Sequence, residues 1–366
     1  MWNVRHAKPF SCIKQFSESL KGANQVNDEL PTQNRRGLFI RWTVYLLIIG
    51  SASAAASYRI RHVNVFDVAT QNLKSSEGSP LLCANDRSRW CTLRALGDHN
   101  RYEIDDIIAD PQTGEFSFDR RKYNPFWATI DLVKHRDQHG EMHFYSSKPT
   151  LLPTLLAYLY KVVKMATGKD LENHPFAVVQ LMLILVNVIP MALFLVLLAA
   201  TLEILSEDSF TKIILVIAAS YGTFLTPFAI TLNNHLPAAI SVGITLFTLV
   251  YLLNGSTSLG IHYFNAGIFS AFAAANELPA LSFLCFVGLI LSLSNLKKTL
   301  CFFVPGATLV IAAFFYTNHA AHHDWIPPYA HRNDGPLITT LTNDLFNDAQ
   351  QHIVSPALVQ AINVHR

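Results

Sequence analysis

The sequence predicts an all-α polytopic membrane protein with about seven transmembrane helices and a folded extracytoplasmic first loop. Three observations carry this expectation. The 366 residues are 51% hydrophobic and only 15% charged, with a mean hydropathy of +0.26, too apolar and charge-poor for an ordinary soluble domain. Charge is also unevenly spread: residues 58–150 mix Asp, Glu, Lys, Arg and His densely, whereas 176–317 are almost uncharged over long runs. Apolar windows of about 20 residues, the length a helix needs to cross the hydrocarbon core, recur along the chain. A formal charge of +2 and a pI near 8.2 leave no clustered basic face for nucleic acid.

Residues 1–36 form a cytoplasmic N-terminal segment, because Arg35, Arg36 and Arg41 flank the first apolar window and basic clusters stay inside. The first transmembrane helix occupies 37–57. Its SASAAAS run at 51–57 also resembles a cleavage site, but the stretch before it is much longer than a usual signal peptide, so it reads as an uncleaved anchor. Residues 58–150 then form one large extracytoplasmic loop, and 150–167 an amphipathic or half-buried helix at the membrane surface. Later apolar windows run 176–204, 209–230, 235–254, 262–276, 278–295 and 299–317, bounded by polar pairs such as Glu207-Asp208, Asn233-Asn234 and Asn276-Glu277. The window 262–276 is barely long enough to span, and with its successor could form a re-entrant pair. The bundle therefore covers 151–318, with an extracytoplasmic tail at 319–366. Lys297 and Lys298, the other basic cluster in a short loop, fall inside on this threading. A short chain with no eukaryotic retention signal reads as a bacterial inner-membrane protein.

The chemistry concentrates in the first loop and its neighbours. Residues 84–105 interleave acids and bases, among them Asp86, Arg87, Arg89 and Asp98. The loop closes on Tyr145-Ser-Ser-Lys148-Pro149, where an ammonium group stands before a helix start whose unpaired amides favour a phosphate. Asn234 and His235, together with Asn276 and Glu277, fall at helix ends on the same side, where polar groups point to a cavity rather than lipid.

The stretches N-D-R-S-R-W at 85–90, G-D-H at 97–99 and Y-S-S-K-P-T-L at 145–151 resemble motifs of membrane glycosyltransferases of the GT-C type. The likeness is to the dolichyl-phosphate-mannose mannosyltransferase and aminoarabinose-transferase branch. That branch carries a DE-x-R-Y-like motif, a G-D-W-like turn and Y-x-x-K-P-P-L in this order after its first helix, and the resemblance covers about residues 38–205. It implies inverting transfer of a sugar from an undecaprenyl- or dolichyl-phosphate carrier to an unidentified acceptor on the extracytoplasmic face. Asp86 would be the general base and Lys148 the ligand of the carrier phosphate, assisted by Arg87 and Arg89. Asp98, Tyr145, Asn234, His235, Glu277, His331 and Arg332 are candidate substrate-binding residues. Here the acidic pair is reduced to Asp86 followed by Arg87, and Thr150 replaces the second proline. Family members commonly have more crossings and a C-terminal outside domain, so a minimal, truncated or inactive relative is also expected.

Blander readings stand beside these. Asp86 between arginines reads as a solvated ion pair, and Lys148 as a lysine snorkelling to the interface. Helix capping explains Asn233 and Asn234. A transporter or lipid flippase would use the same intramembrane Asn and Glu, and a non-catalytic assembly partner would keep only the fold. No cofactor is required by the sequence. A divalent cation could sit on Glu103, Asp105 and Asp106, and His319, His322 and His323 have spacings that could seat zinc or copper. Five cysteines are too few for a disulfide scaffold; Cys83 and Cys91, eight apart, are either a small bridge or two free thiols.

Overall fold

The computed structural model describes residues 32–64, 78–109, 126–127, 129–136, 141–254, 259–325 and 327. Among the described residues the chain is overwhelmingly helical, and four helical stretches are long and apolar enough to cross a membrane: Arg35–His62, Pro175–Leu205, His235–Leu253 and Ala280–His322. We number the elements α1 (Thr32–His62), α2 (Ala84–Arg94, extended by a π turn, Ala95–His99), β1 (Leu132–Arg136), β2 (Met142–Ser146), α3 (Leu151–Thr167), α4 (Pro175–Leu205), α5 (Ser209–Tyr221), α6 (His235–Leu253), α7 (Gly260–Asn276), α8 (Ala280–Lys298) and α9 (Val304–His322).

Polar contacts sort the helix ends into two groups. At one end Arg41 of α1 grips Glu203 near the end of α4 through two bonds of 2.8 Å, and Tyr45 and Lys212 of α5 donate to the same carboxylate at 2.8 Å each. At the other end Gln180 of α4 donates to the Arg61 carbonyl of α1, and Asn234 before α6 donates to the carbonyl of Asn276, the last residue of α7. There too the Thr150 hydroxyl before α3 meets Thr317 of α9. Thus α1 runs antiparallel to α4, and α6 to α7. The four donors saturate Glu203, which is how a carboxylate and the 3%-exposed Lys212 persist together in an apolar bundle.

Local sequence explains where helices start and stop. Pro175 opens α4, where its missing N–H costs nothing, and the Asp208 carboxylate caps α5 by accepting from Thr211 N at 2.7 Å. Asn295 leaves helical geometry (φ −157°, ψ 92°) and accepts from Lys298 N, ending one helix and capping the next. Gly288 then faces the Phe303 ring, which makes α8 and the following segment a hairpin. The α7–α9 crossing needs two glycines: a Cβ on Gly267 would lie 2.2 Å from the Phe303 carbonyl oxygen, and one on Gly306 2.5 Å from that of Phe264. Such close approach of backbones is how helices hold together where lipid removes the hydrophobic driving force.

The structure bears on several expectations. The window 209–230 is not one helix: α5 stops at Tyr221, a short helical turn Leu225–Ala229 follows, and the Asn187 amide, on a π turn in α4, donates to the carbonyls of Ala229 at its end and of Thr231 just beyond. The window 262–276 forms one uninterrupted helix, with Tyr263, Ala266 and Ala271 buried, and a short turn joins it to α8. The SASAAAS run lies inside α1, where Ala52 and Ala56 are buried. The first loop contains a small antiparallel hairpin, Leu132 opposite Ser146 through Arg136 opposite Met142. Cys83 and Cys91 are both free; eight residues along a helix place them about 12 Å apart, beyond disulfide reach.

Replacing Glu203 by Ala should strand the buried Lys212 ammonium and destabilise the bundle by about 3–5 kcal/mol, whereas Glu203→Met with Lys212→Met should recover most of that loss. Unfolding by SDS in mixed micelles measures both variants, and near-wild-type stability of Glu203→Ala would refute the saturated-carboxylate account.

Candidate functional site

A cavity of about 740 Å³ opens where α2, the residues before α3, and the ends of α6, α7, α8 and α9 meet. Its lining is polar in part, with Asn85, Arg89, Ser147, Lys148, Asn234, His235 and Glu277, and apolar in part, with Leu281, Leu284, Ile311, Phe314 and Phe315. The polar part is assembled by α2. Asp86 sits in its first turn, where a carboxylate suits the helix dipole. Its oxygens accept from Leu82 N at 3.0 Å, from the Trp90 indole at 2.9 Å and from Leu232 N at 2.9 Å. The last bond ties α2 to the segment that leads into α6. Burial pushes the Asp86 carboxyl up to about 6; the two amides, the indole and the Arg89 charge oppose that rise.

Three residues on, Arg89 is buried and reaches two asparagines. Its guanidinium donates to the Asn85 carbonyl at 2.9 Å, to the Asn85 side chain and to the Asn234 side-chain oxygen. Burial lowers it to about 10, against the opposing pull of Asp86 and Asp131, so it stays charged at neutral pH. Asn234 passes the polarity on, because its amide donates to Glu277 Oε1 at 2.5 Å. The same oxygen lies 2.5 Å from His235 Nδ1. Arg89, Asn234, Glu277 and His235 thus form one connected row along the cavity. The Lys148 ammonium, also in the lining, pairs with Asp131 at 3.2 Å. Beside Lys148, the Ser147 hydroxyl is buried without a hydrogen-bond partner.

The sequence-predicted residues therefore divide. Arg89, Lys148, Asn234, His235 and Glu277 converge on the cavity. Asp86 does not line it; its carboxylate is occupied by three fixed donors, which makes it a positioning group for Arg89 and Asn234 and corrects the expectation of a base open to substrate. Arg87 is half-buried outside the lining. Asp98 lies under α3, paired with Lys164 at 2.8 Å and accepting from the Tyr160 hydroxyl. Tyr145 is buried, its hydroxyl turned to Glu103 and its ring edge-on to His322. His331 and Arg332 lie outside the described residues.

The proposed cation sites are likewise dispersed. Asp105 accepts from Phe144 N and pairs with His143, while Asp106 pairs with Arg101. His319 stacks on Trp325, away from His322 on Tyr145. Among the described residues no group of three His, Cys, Asp or Glu converges to hold a metal. Sequence reasoning missed Asn85, Ser147 and Asp131. Ser147 was visible inside the Y-S-S-K stretch, but nothing local marks Asp131, just before β1, as the counter-ion of a lysine just after β2.

Because the folded value of Asp86 exceeds its ordinary 3.8, protonation favours the fold: its contribution is complete below that value and fades as pH rises through about 6. Asp86→Asn should flatten that part of the stability curve. It should also cost roughly 1–3 kcal/mol, since an amide nitrogen would face one of the three donors. Thermal unfolding in detergent between about pH 4 and about pH 7 tests this, and an unchanged pH slope would count against it. Comparison of the chain with protein-family models, with curated proteins and with solved structures finds no match.

Proposed function

We propose that this chain is a membrane glycosyltransferase of the GT-C kind that moves a sugar from a polyprenyl-phosphate carrier to an acceptor on the extracytoplasmic face. In this reading α1, α4, α5 with the segment after it, α6, α7, α8 and α9 make seven crossings. The Glu203 cluster is cytoplasmic and the cavity extracytoplasmic, in a bacterial inner membrane. The observation that carries the reading is the composition of the cavity, whose lining combines two cations, Arg89 and Lys148, and a carboxylate–imidazole pair with aliphatic and aromatic side chains. An amphipathic donor with an anionic head and a hydrocarbon tail matches both parts of that lining.

The chemistry follows from charge. The acceptor oxygen attacks the anomeric carbon as its bond to the phosphate oxygen breaks, the acceptor proton passes to a base, and negative charge grows on the departing carrier phosphate. Arg89 and Lys148 take up that charge. The base role passes from Asp86 to the Glu277–His235 pair, in which the carboxylate fixes the Nδ1 proton and leaves Nε2 to accept one. A single displacement of this sort inverts the anomeric centre.

Purified protein in native lipid extract should consume at least one labelled polyprenyl-phosphate sugar from a panel. Glu277→Gln and His235→Ala should each lose about 100-fold or more in turnover with the fold intact, the usual scale of a lost base. Donor binding that disappears in Lys148→Ala without turnover in the wild type would favour a flippase or an inactive relative, and no binding at all would sink the reading.

A further inference from the structure

Helix α3 starts and finishes beside the same end of the bundle. At its start Thr150 meets Thr317 of α9 at 3.1 Å. At its finish Gly168, in the left-handed region (φ +70°), turns the chain back so that Leu171 N donates to the Tyr160 hydroxyl, and α3 touches the start of α4, whose Gln180 donates to the Arg61 carbonyl near the end of α1. Its 17 residues are about 25 Å long. A helix of that length with both ends at one level lies across the bundle rather than along it.

One face is packed. Leu152, Leu156, Tyr160 and Val163 are buried, and the Tyr160 ring fills the space where a Cβ on Gly97 would sit, 2.2 Å away. The opposite face is bare and apolar: Leu155, Tyr158, Val162 and Met165 recur at helical spacing and are between 48% and 80% exposed. Cations border this stripe. Lys161 donates to Asn100 at 2.6 Å and lies over the Tyr158 ring, while Lys164 pairs with Asp98. At the start of the helix the Tyr102 hydroxyl meets Thr154, and Tyr102 lies within electrostatic reach of both Tyr158 and Tyr316. Tyr316 is itself exposed on α9, on the outward surface that carries Leu309. The bare stripe of α3 is therefore continuous, through a cluster of tyrosines, with the apolar surface of a helix long enough to cross the membrane. Tyrosines at such a boundary mark the level where hydrocarbon gives way to headgroups.

The geometry points to α3 as an in-plane membrane anchor whose Leu155–Tyr158–Val162–Met165 stripe is embedded at the headgroup–acyl boundary of the adjacent leaflet, with Lys161 on its wet edge. The occupant of the stripe is lipid. Because Ser147, Lys148 and Pro149 immediately precede α3, the anchor also sets the height of the cavity cations relative to the headgroups. This inference rests on the membrane placement of the bundle and not on the transferase reading.

A benzophenone amino acid placed singly at positions 155, 162 and 165 of the full chain in phosphatidylcholine–phosphatidylglycerol nanodiscs tests it, with 309 as a lipid-facing control and 161 and 169 as wet controls. All six positions are surface sites, so folding is preserved. After irradiation, intact-mass spectra should show lipid adducts at 155, 162 and 165 at the level of 309 and several-fold above 161 and 169. Adducts at the three sites no higher than at 169 would overturn the proposal, as would protein–protein crosslinks in their place.

Discussion

The buried carboxylate of Asp86 is the contact on which the candidate site depends. Hydrogen bonds to a charged group are worth about 1.5–3 kcal/mol each and are costly to break when their partners are buried. Asp86 makes three, to its own helix start, to Trp90 four residues on, and across the chain to Leu232. The cross-chain bond fixes where the segment before α6 sits against α2. With that fixed, Asn234 reaches Arg89 on one side and Glu277 on the other, and these residues of the cavity lining become a single hydrogen-bonded row. A carboxylate that looks like a catalytic acid in sequence is, in three dimensions, the group that aligns the residues around the cavity.

The bundle below solves a different problem. In an apolar surrounding every polar group has to find its partner inside the protein, and helices cannot rely on expulsion of water to pack. Two devices answer these demands. Glu203 gathers Arg41, Tyr45 and Lys212 so that no charge is left alone, and Gly267 with Gly306 lets α7 and α9 touch backbone to backbone. Outside the Glu203 cluster, the charged side chains of α1 and of α4 to α9 lie near helix ends, and the cavity with its charged lining forms at one of those ends.

Part of the site was legible in sequence. Asn234, His235 and Glu277 were recognisable because charged and amide side chains at the ends of apolar windows are expensive to keep facing lipid, and Arg89 and Lys148 from the motif-like stretches of the first loop. Asp98 and Tyr145 came from the same stretches, yet one clamps Lys164 and the other packs on His322. Residue type and position along the chain could not separate these cases, because a buried ion pair and a ligand-facing charge look alike in one dimension.

The sequence by itself determined the helical class, most helix positions, the segregation of charge into the first loop and the side of the bundle on which polar residues gather. These follow from hydropathy, from turn residues such as Pro175, Asp208 and Asn295, and from the length of hydrocarbon a helix must cover. Only the tertiary structure decided that 209–230 breaks at Tyr221, that α3 lies across the bundle, and that Asp86 faces inward while Glu277 and His235 face the cavity. Each of these rests on a partner remote in sequence: Asn187 for the break, Thr317 at the start of α3, Leu232 for Asp86. A hydrogen bond selects its partner by position in space, and a single chain of letters records that position only when the partners are neighbours.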